Sequence, residues 1–151
     1  IVATDHCPFN YAKEKQDGKD DFRKCPNGAP GVEERMILLF SEGVMKNKIS
    51  INKLVEVACT NPAKVYGMYP KKGIIEPGAD GDLIIIDADA KQTLTHEMMH
   101  GAVDYTSYEG TPLNGKIDLV MQRGNIIAEN NEFKGNRGDG QYIYRKPYFD
   151  I

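Results

Sequence analysis

A chain of 151 residues, 40% hydrophobic and 27% charged, has enough apolar surface to bury one core and is expected to be globular rather than disordered. Its formal net charge of −3 is spread over interspersed lysines and carboxylates; no basic stripe forms to neutralise phosphates, which argues against nucleic acid as a partner. No apolar run approaches the roughly 18 residues of a membrane span and no signal segment opens the chain, so a cytoplasmic setting is expected.

The chain begins Ile1-Val2-Ala3-Thr4, β-favouring residues with no initiating methionine that run straight into Asp5. This is how a strand reads when its predecessor is missing, so Ile1 is expected to be a cut point. Pro8 to Lys24, rich in Lys, Asp and Gly, reads as a surface loop. Asn27-Gly28-Ala29-Pro30-Gly31 makes a tight turn feeding a helix predicted from about Val32 to Met45. Glu33 and Glu34 fall in its first turn, where they complement the helix dipole. Met36, Ile37, Leu39 and Phe40 make that helix largely apolar, and therefore buried. Ser50 is placed to cap a second helix through Ala58, and Asn61-Pro62 to start a short third that stops at Gly67.

From Gly73 the pattern turns to β. Gly73-Ile74-Ile75, Asp82 to Asp87 and Ile117 to Glu129 are β-rich runs punctuated by Pro77-Gly78 and Arg123-Gly124. Leu83-Ile84-Ile85-Ile86 is apolar on both faces and is predicted to be a central, covered strand, whereas Asp118 to Ala128 predicts a hairpin around Arg123-Gly124. The tail from Lys134 to Ile151 has glycines, then Tyr142, Tyr144, Tyr148 and Phe149 without periodicity, a composition suited to packing on a neighbouring surface. Cys7, Cys25 and Cys59 are an odd, unpaired set, which argues against a disulfide framework or a zinc knot and for reduced thiols.

Asp5 directly follows the opening strand, so its carboxylate is expected at a strand's C-terminal end, where barrel enzymes gather catalytic groups. The same position also suits a carboxylate that only caps a turn. Likewise, Asn27-Gly28 forms turns for conformational reasons alone. His96-Glu97-Met98-Met99-His100 matches the zinc-protease helix motif in letter. That motif needs a full helix and a third ligand, yet Gly101 follows at once and no histidine comes after His100, so the pair is expected to be surface or packing residues. Cys7 as a nucleophile lacks any His-Asp pairing arguable from the sequence, and a packed cysteine is the expectation.

Thr4-Asp5-His6-Cys7-Pro8-Phe9 and Pro26-Asn27-Gly28-Ala29-Pro30-Gly31-Val32-Glu33-Glu34-Arg35-Met36 together resemble the last barrel strand, loop and helix of the dihydropyrimidinases and hydantoinases. The resemblance continues through Asn61-Pro62-Ala63-Lys64-Val65-Tyr66-Gly67, Tyr69-Pro70-Lys71-Lys72-Gly73, Asp82 to Asp87, Val103-Asp104-Tyr105 and Tyr108-Glu109-Gly110, covering essentially the whole chain. The Gly-rich turn into Asp82 and the later hairpin resemble amidohydrolases at large, while Cys7-Pro8-Phe9 and the Asn27 block are narrower and favour cyclic ureides. Gly81 and Cys25 depart from the family's usual residues without touching the chemistry.

The resemblance implies an α/β plus β fold: residues 1–68 the C-terminal portion of a (β/α)8 barrel, 69–133 part of a β-sandwich, and 134–151 an extended tail available for oligomer contact. A barrel of this kind takes about 250 residues, so the chain is expected to be a fragment carrying at most the last barrel strand. It implies further that Asp5 ligates one of two divalent metal ions, usually zinc, whose other ligands are histidines and a carbamylated lysine upstream of Ile1. In that setting Asp5 acts as ligand, general base and general acid in turn, and Asn27 hydrogen-bonds the imide edge of a small cyclic ureide. The full-length protein is expected to be a tetramer, and the isolated chain to bind no metal pair and to be inactive. The alternative is a non-catalytic scaffold of the collapsin-response mediator type; those proteins have lost the acid at the position of Asp5 and altered the Asn27 turn, whereas both are intact here.

Overall fold

The computed structural model describes residues 1–147; Tyr148 and Phe149 of the aromatic tail lie outside the described residues. Helix α1 (Arg35–Leu38) widens without a break into a π-helical stretch, Leu39–Val44. Helix α2 (Ile51–Val55) runs through a second π-helical stretch, Glu56–Thr60, into α3 (Asn61–Val65). Strands β1 (Leu83–Thr93), β2 (Pro112–Gln122), β3 (Asn125–Glu129) and β4 (Glu132–Phe133) form an antiparallel sheet in the order β1-β2-β3-β4.

The local signals act as their chemistry requires. Ser50 is extended and its hydroxyl accepts from Lys53 N–H at 3.1 Å, supplying one of the donors that a helix start leaves unpaired. The separate helix expected to start at Asn61-Pro62 is corrected: Thr60 is itself helical, so Pro62 lies inside one continuous run, and the Val57 carbonyl behind it accepts from Val2 N–H at 3.1 Å. At the hairpin between β2 and β3, Arg123 and Gly124 both have positive φ, 47° and 80°, the pair a two-residue turn needs to follow the strand twist. The helix predicted from Val32 begins instead at Arg35, because Val32 to Glu34 are still turning out of the Gly31 bend.

Helices and sheet share one core. Ile37, Phe40 and Leu54 from the helices close on Leu94 and Leu113 from the sheet region, and this packing crosses the expected boundary near residue 68. Ser41 is fully buried, and its hydroxyl accepts from Asn114 N–H of β2 at 2.9 Å. Gly115 lies so close beneath Phe40 that an added Cβ would stand 2.8 Å from the ring.

Three β expectations are corrected. Ile1 to Thr4 form no strand ladder; the only pairing nearby is an isolated parallel bridge between His6 and Ala29, since no neighbouring strand flanks the opening residues among those described. Leu83-Ile84-Ile85-Ile86 is not a covered central strand in this structure. The simple meander leaves β1 at the sheet's edge, with Ile84 and Ile85 42% and 54% exposed. Gly73-Ile74-Ile75 is irregular as well, and Ile75 is exposed. In the other direction, β1 runs on past Asp87 to Thr93. The Asp87 carboxylate accepts from Asp89 N–H (2.9 Å) and Ala90 N–H (3.3 Å), which bulges the strand and lets it resume pairing at Lys91.

Candidate active site

Asp5 is exposed and has a φ of 48°, a left-handed conformation that non-glycine residues adopt at a cost and that Asp and Asn tolerate best. Its carboxylate enters no salt bridge among the described residues. One residue on, the backbone is fixed: His6 pairs with Ala29 in the parallel bridge, and Cys7 N–H donates to Ala29 O at 3.3 Å. In a parallel pairing the residues preceding each partner lie at the same end. The bridge thus brings the Asp5 end of the opening segment beside the Asn27 turn.

Gly28 makes that approach feasible. It has φ 118°, and a Cβ built on it would fall 2.2 Å from Cys7 O, so only glycine lets the two backbones meet here. Asn27 itself is exposed, and neither its N–H nor its C=O joins another backbone group among the described residues. The carbonyls on either side are tied instead to Lys15, whose Nζ lies 2.5 Å from Pro26 O and 2.6 Å from Gly28 O. Nothing in the polar segment from Pro8 to Lys24 marks Lys15 in the sequence, since a single lysine among several carries no spacing signal.

The three histidines do not gather. Val32 N–H donates to His6 Nδ1 at 3.4 Å, His96 Nε2 lies 2.7 Å from Val103 O, and His100 Nδ1 lies 2.6 Å from Glu33 Oε1. His96–Met98 is one short 3-10 turn rather than the helix a zinc-protease motif needs. No group of three or more His, Cys, Asp or Glu able to hold a metal occurs among the described residues. An exposed carboxylate that enters no salt bridge has the chemistry of a single metal ligand, and the described residues bring no second and third ligand to Asp5. A cavity of about 420 Å³ between α1 and the sheet, lined by Ile37, Leu94, Met98 and Phe133 among others, includes neither Asp5 nor Asn27. Cys7, Cys25 and Cys59 are free thiols, and burial pushes the Cys59 thiol up despite Arg35 nearby.

The Amidohydrolase family model matches residues 1–127. The chain belongs to the amidohydrolase family. Among curated members it is 45% identical over 148 residues to the D-phenylhydantoinase of Escherichia coli O1:K1, a match spanning 98% of this chain and 32% of that protein. Among solved structures it superposes on the dihydropyrimidinase from Brevibacillus agri NCHU1002 with a TM-score of 0.96 and 42% identity, over 100% of this chain and 33% of that one. The D-hydantoinase from Bacillus sp. AR9 gives a TM-score of 0.95 and 42% identity over 99% and 33% of the two chains. The chain thus spans about a third of the length of the family members it matches. The hydantoinase and dihydropyrimidinase names are those of the proteins that the Asp5 and Asn27 blocks resemble. No helix among the described residues is long and apolar enough to cross a membrane.

Proposed function

We propose that this chain is the C-terminal part of a metal-dependent hydrolase that opens the ring amide of five- or six-membered cyclic ureides, with Asp5 as metal ligand and proton carrier and Asn27 as ring-binding residue. The observation that carries the reading is the parallel contact of His6 with Ala29, which keeps an uncommitted carboxylate and an unengaged turn backbone at one end of the same pairing, in a chain of this family. On this reading residues 1–68 close a (β/α)8 barrel, 69–133 belong to a β-sandwich, and the 134–151 tail makes contacts in a cytoplasmic tetramer.

The absent ligands, histidines and a carbamylated lysine, would hold two divalent ions, zinc by expectation, with Asp5. Such a pair, when bound, polarises the amide carbonyl and makes water acidic enough to attack near neutral pH. Asp5 takes the proton that the attacking water gives up as its oxygen bonds to the carbonyl carbon. The ring C–N bond then breaks, and Asp5 returns that proton to the departing nitrogen, leaving the carboxylate ready for another turnover. Asn27 offers its backbone N–H and C=O to the imide edge, so the ring is held in the plane the attack requires.

Hydrolysis of dihydrouracil and of hydantoin by the full-length polypeptide tests the reading. Ring opening of at least one of them is expected, lost on treatment with a strong chelator and recovered on adding zinc. No hydrolysis of either ring, or turnover indifferent to chelation, would contradict it.

A further inference from the structure

We propose that Lys15 is a positioning residue for the substrate-binding turn, gripping it on both sides of Asn27; this rests on the reading of Asn27 as the residue that meets the imide edge. The carbonyls that Lys15 Nζ holds, Pro26 O at 2.5 Å and Gly28 O at 2.6 Å, are those immediately before and after Asn27. An ammonium group has three donors and no acceptor. Two of them are committed to these carbonyls, and the charge also faces the Phe9 ring, 5.6 Å from its centroid. With its neighbours' carbonyls turned toward Lys15, Asn27 keeps its own N–H and C=O unengaged by backbone partners among the described residues. The turn is thereby fixed in shape while its central polar groups stay open to a ligand.

The grip is useful only if Lys15 is itself anchored, and it is. It lies in the 3-10 helix Glu14–Gly18, its N–H donates to Asn10 O at 3.0 Å, and Asn10 N–H donates to Glu14 Oε2 at 2.9 Å. From the far side of the sequence, the Asp104 carboxylate accepts from Tyr11 N–H at 2.6 Å and Ala12 N–H at 2.9 Å. Those backbone donors, Ala12 foremost, hold the Asp104 carboxyl below the usual carboxylate range, so the anchor stays ionised. The Tyr11 and Tyr105 rings meet at 5.8 Å beside it. A continuous path of fixed contacts thus runs from the segment between β1 and β2, through Lys15, to the turn that carries Asn27.

The test uses the full-length polypeptide with Lys15→Met and Lys15→Arg. Methionine keeps an unbranched apolar chain and removes the charge, whereas a guanidinium can still bridge two carbonyls. Steady-state kinetics on dihydrouracil are measured with melting temperature and metal content. Competition by succinimide, which presents an N–H beside a C=O, is compared with competition by cyclopentanone, a ring of the same size that keeps a carbonyl and has no N–H for the Asn27 carbonyl. Lys15→Met is expected to raise KM about tenfold, equivalent to about 1.4 kcal/mol, with kcat, melting temperature and metal content near wild type. It should also lose the wild type's preference for succinimide, and Lys15→Arg should recover most of both losses. If the wild type prefers succinimide and Lys15→Met keeps that preference and KM, the role of Lys15 is overturned while that of Asn27 stands. If the wild type shows no such preference, the Asn27 reading falls and takes the Lys15 proposal with it. A drop in melting temperature with KM and the preference unchanged would assign Lys15 a merely structural role and also overturn the proposal.

Discussion

Replacing Gly28 with alanine should separate the two halves of the candidate site. The added Cβ would start 2.2 Å from Cys7 O and 2.9 Å from Cys7 Cβ, whereas carbon–oxygen contacts settle no closer than about 3.3 Å. The Asn27 turn must then retreat from the His6-Cys7 backbone by roughly 1 Å. At φ 118° an alanine is also strained by about 1–3 kcal/mol, and the retreat gives up the Cys7 N–H to Ala29 O bond, worth about 0.5–1.5 kcal/mol. Turning the backbone aside to relieve either cost moves Asn27 relative to Asp5. A misplacement of about 1 Å at a reacting geometry costs on the order of 100-fold in rate. In the full-length polypeptide, Gly28→Ala should therefore lower kcat/KM for dihydrouracil by about that factor, with metal content retained. Gly101→Ala is the control, because nothing lies within 4 Å of its added methyl. Wild-type kcat/KM in Gly28→Ala would refute the argument that this close approach sets the site.

The His100 imidazole gives a pH signature. Its bond to Glu33, opposed by partial burial and helped by Asn131 O, lifts it above the ordinary histidine value of 6.5. Nδ1 and Nε2 both face acceptors, so the protonated ring is the form that satisfies every partner. A raised folded-state value contributes stability that is complete below 6.5 and fades as pH climbs through the raised value. The melting-temperature gap between wild type and His100→Asn should thus be widest near about pH 6 and shrink toward about pH 9; a gap that grows with pH would reverse the sign. Ser41→Ala should cost about 1–3 kcal/mol in denaturant unfolding, because the half-buried Asn114 N–H loses the fully buried hydroxyl that accepts from it. A change below about 0.5 kcal/mol would mean that water or a shifted strand replaces the hydroxyl.

What the sequence made legible was local. The Ser50 cap, the stop at Gly67, where φ is 69°, and the Arg123-Gly124 hairpin each depend on one or two residues with strict conformational preferences. The second hairpin carries a weaker signal, because its turn is Asn130-Asn131, with φ 49° and 65°, rather than a pair containing glycine. Whether a strand is central depends on what lies beside it, and four consecutive apolar residues in Leu83 to Ile86 do not report that. The π-helical widening at Leu39–Val44 is also invisible to periodicity, because it moves each side chain by only a fraction of a turn. In the candidate site, Asp5 and Asn27 stand out through the blocks around them; Asp104 lies in the Val103-Asp104-Tyr105 block with no sign of what it contacts, and Lys15 lies in none. Their partners are backbone groups 11 to 93 residues away in sequence, and a contact of that kind leaves no pattern in either residue's own neighbourhood.

The most direct measurement is turnover of dihydrouracil by the full-length polypeptide carrying Asp5→Ala, with circular dichroism and melting temperature recorded alongside. The side chain is exposed and enters no salt bridge among the described residues, so the fold should survive its removal while hydrolysis disappears. A folded Asp5→Ala protein that opens the ring at the wild-type rate would contradict the assignment of this carboxylate to the reaction.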